Sequence, residues 1–351
     1  MATHEREITE PVDLCTADGR RLNPMAQGWS RTPLHNANLQ GGWGRTKRWD
    51  YWAILSDDLV VAITYGDVDY LGTVSVWWAD LRLGTSGGRE VATPGARGLA
   101  LPDRPGTEPL RFRSKALEVD LVDDADGTTI AARWQEADGT EATLHARVDL
   151  SVGHESVNVV IPWSSKRFQF TSKHQARPAR GTLRVGEVER SFGSPDGPSA
   201  AWGVLDVGRG RWPYATRWNW GGGAGMATDD ATVVGLQLGG KWTVGTGFTE
   251  NGVIVDGRVT KIGGDLRWTY DWDHPLRPWR VHLPDGTLDL TLHPVHDRHT
   301  KVNAGLLATE VHQVFGTWTG HVTADPFADE PGRTIEVAGI NGFAEESRSR
   351  W

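Results

Sequence analysis

Apolar and polar residues alternate with a period of two along much of this chain, and helical periodicity is almost absent. Ala142, Leu144, Ala146, Val148, Leu150 and Val152 alternate with Thr143, His145, Arg147, Asp149 and Ser151, which predicts a strand with one buried face. Leu117, Val119 and Leu121 repeat the pattern just upstream. Residues 49–64 and 70–83 are less regular but also read as β. Asp126-Gly127, Asp138-Gly139, Asp256-Gly257 and Asp285-Gly286 fall between such runs and predict hairpin turns. Only residues 344–350 read as a short helix.

The predicted class is therefore all-β. Successive antiparallel hairpins remove their exposed edges by closing into barrels or stacking as sandwiches. An eight-stranded barrel would use about half of a chain this long, so two domains are expected, 1–194 and 195–351. The division is placed in the loose Ser-Phe-Gly-Ser-Pro-Asp-Gly-Pro stretch at 191–198.

Composition narrows the functional classes. Lys and Arg number 37 against 45 Asp and Glu, a net charge of -8, so no basic surface favours a nucleic-acid partner. Cys15 is the only cysteine, which rules out an intrachain disulfide. The polar start of the sequence and the lack of a long apolar run predict a cytoplasmic protein with no membrane span. Oligomeric state is left open. Eighteen Trp exceed the eight Phe and five Tyr combined. Buried Trp needs a partner for its N–H, so this surplus suggests the lining of an apolar pocket.

No P-loop, GxSxG, HExxH or paired CxxC occurs. Gly221-Gly222-Gly223-Ala224-Gly225 lacks the Lys-Ser/Thr ending of a phosphate loop and predicts close backbone approach. His293, His296 and His299 would share a helix face, but Pro294 and the preceding alternation predict a strand running into a solvated loop, so no metal site is expected. Leu266, Trp268, Tyr270 and Trp272 form one face of a predicted strand, with Asp271 on the other. Glu310, His312, Val314 and Trp318 share a face in a second strand, where Gly316 and Gly320 would leave space for a ligand. Trp218-Asn219-Trp220 puts two indoles on one face and an amide on the other, and Glu250-Asn251 ends a glycine-rich stretch.

Several of these segments resemble the family catalogued as domain of unknown function 2804. The likeness covers nearly the whole chain. It includes Gly28-Trp29-Ser30-Arg31, the run from Arg45 to Trp52, Ile161-Pro162-Trp163, Phe170-Thr171-Ser172-Lys173 and the run from Gly208 to Tyr214. It continues through Trp218-Asn219-Trp220, Gly239-Gly240-Lys241-Trp242-Thr243, Thr249-Glu250-Asn251, His312-Gln313-Val314-Phe315-Gly316 and Gly342-Phe343-Ala344-Glu345-Glu346. That family is distantly similar to the lipocalin-like carotenoid 1,2-hydratase and pericyclase superfamily. The resemblance implies two lipocalin-like β domains, with an apolar substrate within or between them. It further implies acid-assisted chemistry on isoprenoid or polyketide substrates with no metal or organic cofactor. No catalytic residue is carried over from it.

The leading expectation is a cofactor-independent lyase, hydratase or isomerase, possibly a cyclase, acting on an apolar, isoprenoid-like small molecule. Glu250 or Asp271 would be the acid, with His312 as its acid/base partner. Asn219 would orient the ligand, and Trp220, Trp268 and Trp318 would form indole walls. Two alternatives stand beside it: a glycoside-active enzyme or sugar binder, and a lipid-binding protein without chemistry.

Overall fold

A computed structural model describes residues 3–193, 200–305, 307–325 and 332–350. Two curled antiparallel sheets make up nearly all of it. The main path of the first runs from Thr85–Pro94 through Leu71–Asp80, Leu59–Asp67, Thr46–Leu55, Ala201–Arg211, Arg167–Val185, Glu141–Asp149, Gly127–Gln135 and Leu117–Asp124 to Leu110–Arg113. The second runs from Arg258–Ile262 through Asn251–Val255, Val233–Gly240, Ala215–Met226, Arg333–Arg350, Leu307–Ala324, Leu288–Ala304 and Trp279–His282 to Arg267–Thr269. All four Asp-Gly pairs lie in hairpin connections, as their turn chemistry predicts. Asp256 and Gly257 show why: both have positive φ, 47° and 81°, as a two-residue turn matched to the strand twist requires.

Each sheet curls around its own apolar core. The first core includes Trp52, Ile63, Val119, Trp134, Leu144 and Leu205, and the second Leu236, Val281, Leu290, Val314, Trp318 and Ala344. The outer faces of the two sheets also meet. Ala53, Leu55, Ala62 and Val204 of the first sheet pack with Trp220, Phe315 and Phe343 of the second. Elsewhere on the interface Val157, Val159, Ile161 and Trp212 pack with Trp242, Ile254 and Val259. Strand Thr46–Leu55 is thus buried on both faces, and that removes the clean alternation from residues 49–64.

The expected division between residues 194 and 195 lies outside the described residues. The first sheet continues beyond that point, since Ala201–Arg211 pairs with Thr46–Leu55 and Arg167–Val185. The chain passes to the second sheet between Arg211 and Ala215. The helix expected at 344–350 is instead the end of strand Arg333–Arg350, hydrogen-bonded on both edges to Ala215–Met226 and Leu307–Ala324. Ladder pairing on two sides outweighs the modest helical preference of Ala-Glu-Glu. Among the described residues no helix is long and apolar enough to cross a membrane.

Candidate functional site

Strand register assembles a site between the two outer faces. Across the first sheet, Lys173 pairs with Asp206, Asp206 with Tyr51, and Tyr51 with Thr64. Across the second, Trp220 pairs with Glu345, Glu345 with Gln313, and Gln313 with Arg298. Side chains of paired positions lie on the same face of a sheet, so each register lines up one row. The two rows flank a cavity of about 330 Å³, with Trp49, Trp212, Trp218, Trp242 and Glu250 completing its wall. A wider cleft of about 1020 Å³ adjoins it, and both share Trp242, Thr309 and Ser349.

Hydrogen bonds from indoles fix three carboxyl groups in this wall. Trp49 Nε1 donates to Asp206 Oδ2 at 3.1 Å, Trp242 Nε1 to Glu250 Oε1 at 2.7 Å, and Trp218 Nε1 to Glu345 Oε1 at 2.7 Å. The buried Lys173 ammonium lies 2.8 Å from Asp206, 3.3 Å from Glu250 and 4.2 Å from the centre of a Trp220 ring. Burial alone would lower its pKa, but the two carboxyls outweigh burial and hold it above the ordinary lysine value. Among the described residues no cation is in ion-pair contact with Glu345. Its other oxygen accepts from Gln313 Nε2 at 3.0 Å, and that amide also reaches the Tyr51 hydroxyl at 3.3 Å. Burial pushes the Glu345 carboxyl up to about 7, against the pull of Trp218 and the more distant Lys173. Burial likewise raises Glu250, with Lys173 opposing. Tyr51 is pushed up to about 12 by burial and stays a neutral phenol.

These features make Glu345 a carboxylic acid able both to give and to take a proton near neutrality. They also predict a stability effect. A carboxyl whose folded pKa exceeds its unfolded value binds more protons in the folded state between the two pKa values, so stability falls as pH rises through that window. For Glu345 the window runs from 4.5 to about 7. The loss is roughly 3 kcal/mol. Denaturant titrations across this range should show a smaller decline for Glu345→Gln than for the natural chain; equal declines would place the carboxyl outside its dry setting.

Of the residues singled out from the sequence, Glu250 and Trp220 line the cavity. Asn219 does not, because its neighbour Trp220 takes the cavity side of the strand. The Asn219 amide instead donates to the Tyr270 hydroxyl at 3.0 Å and to the backbone oxygen of Glu345 at 3.1 Å. His312 is similarly turned away by the alternation that points Gln313 inward, and its Nδ1 lies 2.8 Å from Asp297. Trp318 is buried in the core of the second sheet, with its N–H on the Gly222 oxygen. Trp268 packs against that core and donates to Gly239. Asp271 is at the surface, in an ion pair with Arg277 at 2.7 Å and beside His274 at 3.0 Å. Neither residue it contacts lines the cavity.

Gly316 and Gly320 leave no space for a ligand; a Cβ at either would strike backbone of the neighbouring strand. Strand Leu288–Ala304 continues where a loop was expected, and of its three spaced histidines His293 turns to Thr319 and His296 to Trp77. The glycine run after Trp220 does admit close approach, since Gly223 lies against Asn341 and Gly342 backbone.

Lys173, Asp206, Gln313, Glu345 and the indoles of Trp49, Trp218 and Trp242 also line the cavity and are not among the candidate residues the sequence patterns single out. Most stand in the segments that carry the family resemblance, which was the available signal. Gly208 has a direct part in placing Trp49: the two are cross-strand partners, and a Cβ at 208 would enter the indole. Gly208→Ala should therefore displace Trp49 from Asp206 and cost about 1–3 kcal/mol by overpacking. Denaturation would give the cost, and indole fluorescence the displacement; an unchanged spectrum would contradict this packing.

Comparison with solved structures finds likeness at low identity. A protein described as AttH from Nitrosomonas europaea is 11% identical with a TM-score of 0.47, covering 87% of this chain and 92% of that one. CghA bound to Sch210972 is 11% identical with a TM-score of 0.41, covering 87% and 89%. Kievitone hydratase from Nectria haematococca is 11% identical with a TM-score of 0.46, covering 88% and 89%. At this level of similarity the chemistry of the site rests on its own residues. No curated protein matches the chain. A family model, Domain of unknown function (DUF2804), matches residues 5–351, and the chain belongs to that family.

Proposed function

We propose that this protein is a cofactor-independent lyase, hydratase or isomerase, with ring closure within its scope, acting on an apolar, isoprenoid-like small molecule in the cavity between the sheets. One observation carries the reading: the Glu345 carboxyl is buried in a wall of indoles, held by Trp218 and Gln313, a setting that pushes it up to about 7. Glu345 gives its proton to a substrate C=C bond, and a carbocation forms. The Trp218 face and the carboxyls around Lys173 favour that positive charge. Water then adds and its proton returns to Glu345, or the cation loses a neighbouring proton to the same carboxylate. Either route restores the acid and balances the protons.

The rival readings fit less well. A passive lipid binder has no use for three buried carboxyls, each of which costs free energy to desolvate. A glycosidase needs two carboxyls free to flank the bond it cleaves, whereas Asp206 and Glu250 are both held by Lys173. The test is incubation of purified protein with a lipid extract, followed by mass analysis of retained and altered species. Altered species with the natural chain, absent with Glu345→Gln, are expected. Retention of unchanged lipid alone would replace this reading with the binder, and release of sugar from glycosides would replace it with the glycosidase.

A further inference from the structure

We propose that His299, Glu310 and His312 form a binding site for a divalent transition-metal ion of the zinc class, on the face of the second sheet turned away from the cavity. His299 and His312 are direct cross-strand partners, and their rings stack at 4.1 Å with an angle of 4° between the planes. Glu310 lies two residues before His312 and so shares its face. One donor atom from each of the three lies within 4.8 Å of the other two. His299 Nε2 and Glu310 Oε1 are already 3.2 Å apart. Coordination at the usual distances of about 2.0–2.2 Å requires the exposed His299 ring to turn out of its stack with His312, so that the two lone pairs converge on one ion.

The surroundings are those of a supported ligand set. Asp297 Oδ2 lies 2.8 Å from His312 Nδ1. A carboxylate accepting from Nδ1 fixes the tautomer and leaves the Nε2 lone pair for a metal. The second oxygen of Asp297 is buried without a hydrogen-bond partner among the described residues. Trp272 packs edge-on against the His312 ring at 4.5 Å, and Arg348 covers Trp272 at 3.6 Å, which holds the ring in place. Exposure rises from buried His312 to exposed His299, so an ion can enter from solvent. Lys301 Nζ, 3.0 Å from Glu310, is the competing cation, but its side chain is largely exposed and free to swing away. Two imidazoles and one carboxylate suit zinc, cobalt or nickel, whereas magnesium and calcium require oxygen ligands. Three protein ligands also leave a coordination position open.

The experiment is calorimetric titration of the untagged, chelator-treated full chain with Zn²⁺, and in parallel with Co²⁺ while visible absorption is followed. One ion per chain is expected, with a tetrahedral-type Co²⁺ band. His299→Ala and Glu310→Gln, both at accessible positions, should abolish or strongly weaken binding. Asp297→Asn should weaken it by about 10–100-fold through loss of ring orientation. His145→Ala, at an exposed histidine on the first sheet, should leave it unchanged. Absence of saturable uptake, uptake that survives the His299→Ala/Glu310→Gln double substitution, or equal affinity for Mg²⁺ would each overturn the site.

Discussion

Glu345→Gln is expected to lower turnover by roughly 10²–10⁴-fold, the usual range for loss of a positioned general acid, while the protein remains folded. Glutamine keeps the shape of the side chain and still accepts from Trp218. A turn of the Gln313 amide lets its oxygen receive the new N–H, and the Tyr51 hydroxyl can then accept from Gln313 because it both donates and accepts; the long 3.5 Å contact from Arg298 Nη1 to that oxygen is given up. What is lost is the transferable proton. The loss should therefore fall on kcat, with little change in KM. In the natural chain the acid form is the active one, so turnover should decline as pH rises through about 7. Glu345→Asp retains an acid one methylene further from its target, and should fall between the two if placement matters. A Gln variant retaining full turnover, or a natural chain whose rate rises through pH 7, would remove Glu345 from the chemistry.

The route to Glu345 shows what was legible in the sequence. Strands and hairpins followed from two-residue alternation and Asp-Gly pairs, because both are local properties. The second sheet's interior was also signalled, since Val314 and Trp318 share a face of one strand and do pack together. The site depends instead on which face of each strand meets the other sheet, and no local pattern encodes that. Strands buried on both sides lose the alternation that would tell the faces apart. His312 and Gln313 are adjacent, as are Asn219 and Trp220, and in each pair only the second lines the cavity. A polar residue in an apolar strand marked the right neighbourhood and left the face undecided. Glu345 was hidden further by the helical reading of its segment. Lys173 and Asp206 are far apart in sequence, and only the pairing of their strands makes them neighbours.

That pairing predicts the largest effect on stability. Lys173→Met keeps most of the side-chain volume and removes the only charge among the described residues in contact with both Asp206 and Glu250. Asp206 would retain Trp49 at 3.1 Å and Thr171 at 3.3 Å, and Glu250 would retain Trp242 at 2.7 Å. Among the described residues Glu250 Oε2 has no hydrogen-bond partner besides its ion-pair contact with Lys173. Breaking a buried ion pair from one side costs about 3–5 kcal/mol, because the remaining charge stays desolvated. The sign of the pH dependence separates this from simple loss of packing. Without the ammonium the Glu250 carboxyl, already raised by burial, moves further up, the folded state binds more protons than the unfolded one, and stability increases as pH falls toward 5. Denaturant titrations at pH 8 and pH 5 should thus show a large deficit at the higher pH and a smaller one at the lower. Adding Glu250→Gln to Lys173→Met should recover part of the deficit at pH 8, since the amide carries no charge to leave unpaired. A deficit independent of pH and untouched by the second substitution would mean that Lys173 acts through its packing, and that the charge balance of the cavity is set elsewhere.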